Sequence, residues 1–164
     1  MGLMIAKKID TETTGNLPSL PGTYVLVLAT SVYREITIGS LGALAVQPGF
    51  YVYVGSAMGP GGLAARVNRH CQHEKRLRWH VDYLRAVAQI DEVWYATGKR
   101  HQECRWAHVL RRMPGASVPM PRFGASDCRC PSHLLFFTDQ PSLDDFRQKL
   151  RGQDIHRWRR LEAK

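Results

Sequence analysis

The chain has 164 residues, 44% of them hydrophobic, and 23 Lys and Arg against 14 Asp and Glu give a formal charge of +9. That length and apolar content suit one domain with a real core and exclude disorder throughout. No stretch approaches the roughly 18 apolar residues of a membrane span, and four cysteines are too few for a disulfide scaffold. The excess of positive charge points to a polyanion, DNA or RNA before an acidic membrane face; the plain alternative is a soluble basic protein. The opening MGLMIAKKIDTETTG holds too short an apolar run for a signal peptide. A reducing, cytoplasmic setting is the expectation.

In chain order, residues 1–17 are polar and turn-rich and read as a flexible arm. Pro18 and Pro21-Gly22 mark a boundary, and a single domain is expected over 18–150. Thr23 to Ala29, TYVLVLA, is nearly all apolar, the pattern of a central strand buried on both faces. Arg34 to Ile38 alternates as a half-exposed strand does, Ala43 to Val46 returns, and Phe50 to Val54 makes the next strand. These segments together predict a small antiparallel meander. Gly59-Pro60-Gly61-Gly62 breaks the chain, and Leu63, Val67 and Cys71 then mark one face of a helix.

The basic stretch EKRLRWH leads into a helix expected over His80 to Ala88. A short strand over Glu92 to Ala96 and a helix over Gln102 to Arg112 follow. Residues 113–132 form a long loop, ordered or not, and His133 to Thr138 is a strand. Ser142 with Asp145 resembles a capping box opening a helix to about Leu150. Residues 151–164 are a basic tail. The fold class is therefore α/β, more closely α+β: a small mixed or antiparallel sheet flanked by helices.

Chemistry concentrates at YVYVGSAMGPGGLAARVNRH. Tyr51 and Tyr53 share a strand face. The glycines permit a tight bend or close approach to a ligand, and the following helix would aim backbone N–H groups at an anion there. Arg66 lies about one turn into that helix, with a planar fork of donors suited to phosphate. Strand, bend and helix alone are a weak signal, since most such segments are packing turns.

Two tripeptides sharpen it. Gly22-Thr23-Tyr24 opens one strand and Tyr53-Val54-Gly55 ends another. With Arg66 and Glu103 they resemble the GIY-YIG nuclease superfamily across residues 20–137. The stretches GFYVYVGSAMGPGGLAARVNRH, RWHVDYL, ECRWA and FGASDCRCPSHL resemble more specifically a branch that in some archaea is fused to endonuclease III-type DNA glycosylases. The resemblance implies a GIY-YIG-like fold with an extra hairpin, residues 34–46, inserted between the two motifs. It also implies Tyr24, Tyr53 and Arg66 as catalytic residues and Glu103 as ligand to one Mg²⁺ or Mn²⁺. It further implies metal-dependent endonuclease activity on DNA, with a role in repair or recombination and a glycosylase-type partner. Thr23 and Val54 stand where Ile is usual. The family's late supporting Asn has no clear counterpart; Ser126 and Asp127 are the candidates.

The residues themselves leave other readings open. Cutting a phosphodiester needs an activated water, charge neutralisation at phosphorus and help for the leaving oxygen. Mg²⁺ needs few carboxylates. Tyr24 and Tyr53 can position the water or deprotonate it, the latter only if a neighbouring charge lowers a pKa near 10. His70, one turn past Arg66, is a candidate acid/base or phosphate contact. His80 and Asp82 read as a helix start or structural network. Gly55, Arg69, Lys75, Arg76 and Arg78 are expected to meet nucleic acid, with Trp158 of the tail stacking on a base. Cys128, Cys130 and His133 offer three zinc ligands, with Cys71 or Cys104 as a fourth. Buried thiols beside a tight loop are the favoured reading there. The competing functions are a non-catalytic DNA- or RNA-binding module and a zinc-stabilised interaction domain.

Overall fold

A computed structural model describes residues 12–13, 15–73 and 75–160. Most of the expected N-terminal arm therefore lies outside the described residues. A six-stranded sheet forms the middle of the molecule. Its strands are β1 (Glu12–Thr13), β2 (Gly22–Thr30), β5 (Gly49–Ala57), β6 (Gln89–Thr97), β7 (Leu134–Phe137) and β8 (His156–Trp158), in the spatial order β1-β8-β6-β2-β5-β7. All neighbours are antiparallel except the outer pair β1 and β8, which is parallel. The α+β class read from the sequence is the class found.

The apolar run of β2 has its cause in this order. Tyr24, Leu26 and Leu28 enter one core cluster, while Val25 and Val27 enter the other, on the opposite face. A strand covered on both faces has no solvent side on which to place polar residues. The segment over 34–46 does not complete a meander. β3 (Arg34–Ile38) and β4 (Gly42–Val46) pair only with each other, as a separate two-stranded sheet. Ile38, Leu44 and Val46 bury its inner side on the Tyr24 cluster.

Helices cover both faces. α1 (Gly62–Cys71) and the short α2 (His80–Leu84) supply Leu63, Val67, Val81 and Leu84 to the Tyr24 face. α2 stops four residues before the expected Ala88, and a turn carries the chain into β6. α3 (Glu103–Arg111) and α4 (Leu143–Lys149) bring Trp106, Leu110, Leu143 and Phe146 to the other face. Trp94, Trp106 and Phe146 stack there with ring centres 5.3 Å apart in each contact. Burying each such ring contributes about 2–3 kcal/mol. Ser142 caps α4 by accepting the Asp145 N–H at 3.2 Å, as its spacing suggested.

The C-terminal segment is not a free basic tail through its described part. Trp158 is buried in the Tyr24 cluster and donates its indole N–H to the Gly15 carbonyl at 2.8 Å. Buried Glu92 holds the segment electrostatically, 3.2 Å from Arg157 and 2.9 Å from Arg159. The expected base-stacking role of Trp158 is thereby withdrawn, since its ring is core. Among the described residues, no helix is long and apolar enough to cross a membrane.

Candidate active site

β7 pairs with β5 only from Phe50 to Tyr53. Beyond that point β5 runs on to Ala57 beside a loop rather than a strand, and Val54 N–H donates to the His133 carbonyl at 3.0 Å. A cavity of about 220 Å³ opens here, and Tyr24, Tyr53, Arg66 and Glu103 all line it. Four side chains from β2, β5, α1 and α3 thus meet at one place.

The tyrosines converge through strand register. Tyr24 lies opposite Gly55 and Leu26 opposite Tyr53, so the two phenols are diagonal neighbours on one face. Gly55 is the space that Tyr24 occupies: a Cβ at 55 would stand 2.5 Å from the Tyr24 hydroxyl. Its role is room for the phenol, and it also lines the cavity. Gly124, with φ of 67°, does the same for Tyr53, whose ring would lie 2.8 Å from an added Cβ.

Glu103 arrives from the other side. α3 packs on the face opposite the phenols, but its first residue reaches the uncovered end of β5. Ser56 donates its hydroxyl to Glu103 Oε1 at 3.1 Å, and His101 Nδ1 lies 3.4 Å from the same oxygen. Oε2 is buried and has no hydrogen-bond partner among the described residues. A buried carboxylate oxygen without a donor is expensive; a water or a cation would satisfy it.

Arg66 is held without being neutralised. Its guanidinium carbon sits 4.4 Å from the centre of the Trp79 ring, a cation–π contact. None of the carboxylates among the described residues forms an ion pair with Arg66, whose side chain instead interacts with the Tyr24 hydroxyl. Trp79 also lines the cavity. Sequence reading missed Trp79 and Ser56. Ser56 directly follows the Tyr53-Val54-Gly55 motif, and Trp79 is flanked by Arg78 and His80, which was the available signal.

Both phenols are neutral at ordinary pH. Burial raises Tyr24 well above 10, helped by the nearby Tyr53, with Arg66 pulling the other way. Burial pushes Tyr53 up to about 12, against a smaller lowering by Arg66. His70 lies behind the site. Its Nε2 is 2.7 Å from the Tyr24 hydroxyl, it is 1% exposed, and it does not line the cavity. Burial, reinforced by Lys75, lowers its pKa to about 3. Outside the cavity lining, His70 has no direct contact with a phosphate held there; its ring nitrogen is bonded to the Tyr24 hydroxyl instead.

Two further expectations change. The N–H groups of Gly62, Leu63, Ala64 and Ala65 donate to Gly59, Leu20, Pro18 and Gly61 carbonyls at 2.9–3.3 Å. The first turn of α1 is therefore occupied and offers no anion cradle. Arg69 and Lys75 are structural. Arg69 forks onto both oxygens of Asp82 at 3.0 Å, and Lys75 Nζ donates to the Arg69 and His70 carbonyls at 3.2 and 2.9 Å. Asp82 also accepts the N–H groups of Arg78 and Trp79, the helix-start network expected of it. Arg76 and Arg78 are exposed.

Residues 23–154 match the family described as a domain of unknown function, DUF123. The chain belongs to that family. Among curated proteins and among solved structures, no match is found. In this DUF123 domain the loop over 113–132 is folded. Arg122, at φ of 65°, donates to the carbonyls of Cys128 and Cys130 at 2.6 and 2.7 Å, and to that of Ala125. Asp127 of that loop lines the cavity wall. Exposed Cys104 on α3 comes close to Cys128, Cys130 and His133, whereas Cys71 is buried elsewhere, in the Tyr24 cluster.

Proposed function

We propose that this DUF123 domain is a divalent-metal-dependent endonuclease that hydrolyses a phosphodiester in DNA, as the resemblance to GIY-YIG nucleases implies. The observation that carries this reading is the convergence of Tyr24, Tyr53, Arg66 and Glu103 on one cavity from four separate elements. Packing alone gives no reason for two phenols, a guanidinium with no ion pair among the described residues and a carboxylate with a buried oxygen that has no partner among them to meet.

Glu103 would hold the Mg²⁺ or Mn²⁺ ion, and its unpartnered Oε2 fits that task. When bound, such an ion supplies charge neutralisation and a more acidic water. Arg66, stacked on Trp79, binds the non-bridging phosphate oxygens as charge develops. Tyr24 and Tyr53 act as hydrogen-bond donors that orient the phosphate and the attacking water. Their raised pKa values disfavour phenolate and support positioning over proton abstraction in the free protein. His70 fixes the direction of the Tyr24 hydroxyl. Exposed Arg76 and Arg78 provide non-specific backbone contacts.

The test uses labelled branched, nicked and plain DNA, with RNA alongside, in Mg²⁺ or Mn²⁺. Metal-dependent cutting that Glu103→Ala abolishes supports the enzyme. Tight binding without cutting, unaltered by Glu103→Ala, supports instead a non-catalytic module.

A further inference from the structure

Three of the four cysteines and one histidine stand together at the rim of this site. Cys104 is the second residue of α3; Cys128 and Cys130 belong to the loop before β7; His133 precedes that strand. Their ligand atoms all lie within 4.8 Å of one another. His133 Nε2 is 3.7 Å from Cys104 Sγ and 3.4 Å from Cys128 Sγ. Around a tetrahedral zinc ion, with its usual bond lengths, sulfur and nitrogen ligands stand ~3.5 Å apart. All four cysteines of the chain are free thiols, so no disulfide accounts for the grouping.

The surroundings are built to hold this arrangement. Three carbonyls of the loop, those of Ala125, Cys128 and Cys130, converge on the Arg122 guanidinium. Backbone bonds close the same loop: Arg122 N–H to Pro131 O at 2.6 Å and His133 N–H to Phe123 O at 2.8 Å. Arg122 holds a left-handed φ of 65°, a strained backbone for a residue with a side chain.

We infer that Cys104, Cys128, Cys130 and His133 bind one structural zinc ion. Three thiolates and an imidazole fill a tetrahedron and leave no open position, which marks a structural rather than a catalytic centre. Soft thiolate ligands favour zinc over the hard cation expected at Glu103. The ion fastens the loop to the N-terminus of α3, one residue from Glu103. It thereby fixes the wall carrying Gly124 and Asp127 against Tyr53. The inference is independent of whether the cavity cuts nucleic acid.

The full chain, purified under reducing conditions without added metal, is expected to carry about one zinc per molecule. A mercurial thiol reagent should release that zinc to a colorimetric chelator. Cobalt(II) replacing it should give intense tetrahedral d–d bands and sulfur-to-cobalt charge transfer. Cys104→Ser and His133→Asn should lose the zinc, and Cys71→Ser should keep it. Glu103→Gln should also keep it, which separates this centre from any Mg²⁺ effect. Where a ligand variant fails to fold, mercurial release and the cobalt spectrum of the unaltered chain still decide. Absence of zinc together with no thiolate–cobalt band overturns the inference. So does a Cys104–Cys128 or Cys104–Cys130 disulfide in the reduced preparation, or zinc retained when Cys104 and His133 are both replaced.

Discussion

Ser56 Oγ donates to Glu103 Oε1 across 3.1 Å, and this one bond carries a carboxylate around the end of a sheet. Ser56 is opposite Thr23 in the register, on the face away from the phenols. Glu103 would otherwise belong wholly to the far side of the sheet with the rest of α3. Because β7 stops short of residue 54, nothing blocks its passage. Ser56→Ala is expected to lower metal-dependent cleavage about 10-fold, the usual loss when a ligand's orienting partner is removed. Melting temperature should stay unchanged, and Mg²⁺ titration of the cleavage rate should show a higher half-saturating metal concentration.

Gly55→Ala sets packing against chemistry. The new methyl would meet the hydroxyl of the buried Tyr24 at 2.5 Å and force the ring to shift. Overpacking of this kind costs about 1–3 kcal/mol. The displaced phenol loses its bond to His70, so cleavage should fall further than stability does. Chemical denaturation and single-turnover kinetics on the same preparation separate the two effects.

The basic residues divide into two groups. Arg69 is spent on buried Asp82, so Arg69→Ala should destabilise the fold by about 2 kcal/mol, leaving the carboxylate with two backbone donors and Lys75 at 3.9 Å. Arg76→Ala and Arg78→Ala should leave stability within about 0.5 kcal/mol, as exposed substitutions do. Each should instead weaken DNA binding and reduce the salt dependence by about one charge. Affinity measured over a range of salt concentrations, beside thermal melts, tests the division.

Acid should weaken the protein before its carboxylates titrate. His70 is held neutral to about pH 3, whereas an unfolded histidine takes a proton near 6.5. Between these values the unfolded state binds more protons, so stability falls as pH drops through that window. His80, also lowered by burial, acts in the same direction. For Asp82 burial works upward, but the Arg69 pair and two backbone donors outweigh it and lower the pKa below 3.8; its contribution is lost at still lower pH. Urea unfolding across pH 3 to 6.5 should show the slope, and His70→Gln should flatten it in part.

The C-terminal strand is predicted to be indispensable. Ending the chain before His156 removes Trp158 from the core and leaves Glu92 buried without Arg157 and Arg159. Loss of the tryptophan alone is worth about 3 kcal/mol. Truncation should therefore give a chain with lowered melting temperature or none, whereas an accessory tail would leave the transition in place.

Local pattern settled a good deal of this before any tertiary contact was considered. The uninterrupted apolar run Thr23 to Ala29 demanded a strand covered on both faces. The glycine bend after Tyr53 marked where strand gave way to helix, and Ser142 fixed the start of α4. These readings depend on neighbours in sequence, where periodicity and capping act. Pairing across long separations decided the rest. The charge of Arg69 and Lys75 was visible, but not its neutralisation by Asp82 and the backbone. Trp158 was visible as an aromatic in a basic stretch, but not as core. Cys104 and Cys71 were equal candidates beside the Cys-x-Cys-x-x-His run until the folded loop lay against α3. A side chain's chemistry belongs to its residue, but its availability depends on what the rest of the chain brings within bonding distance.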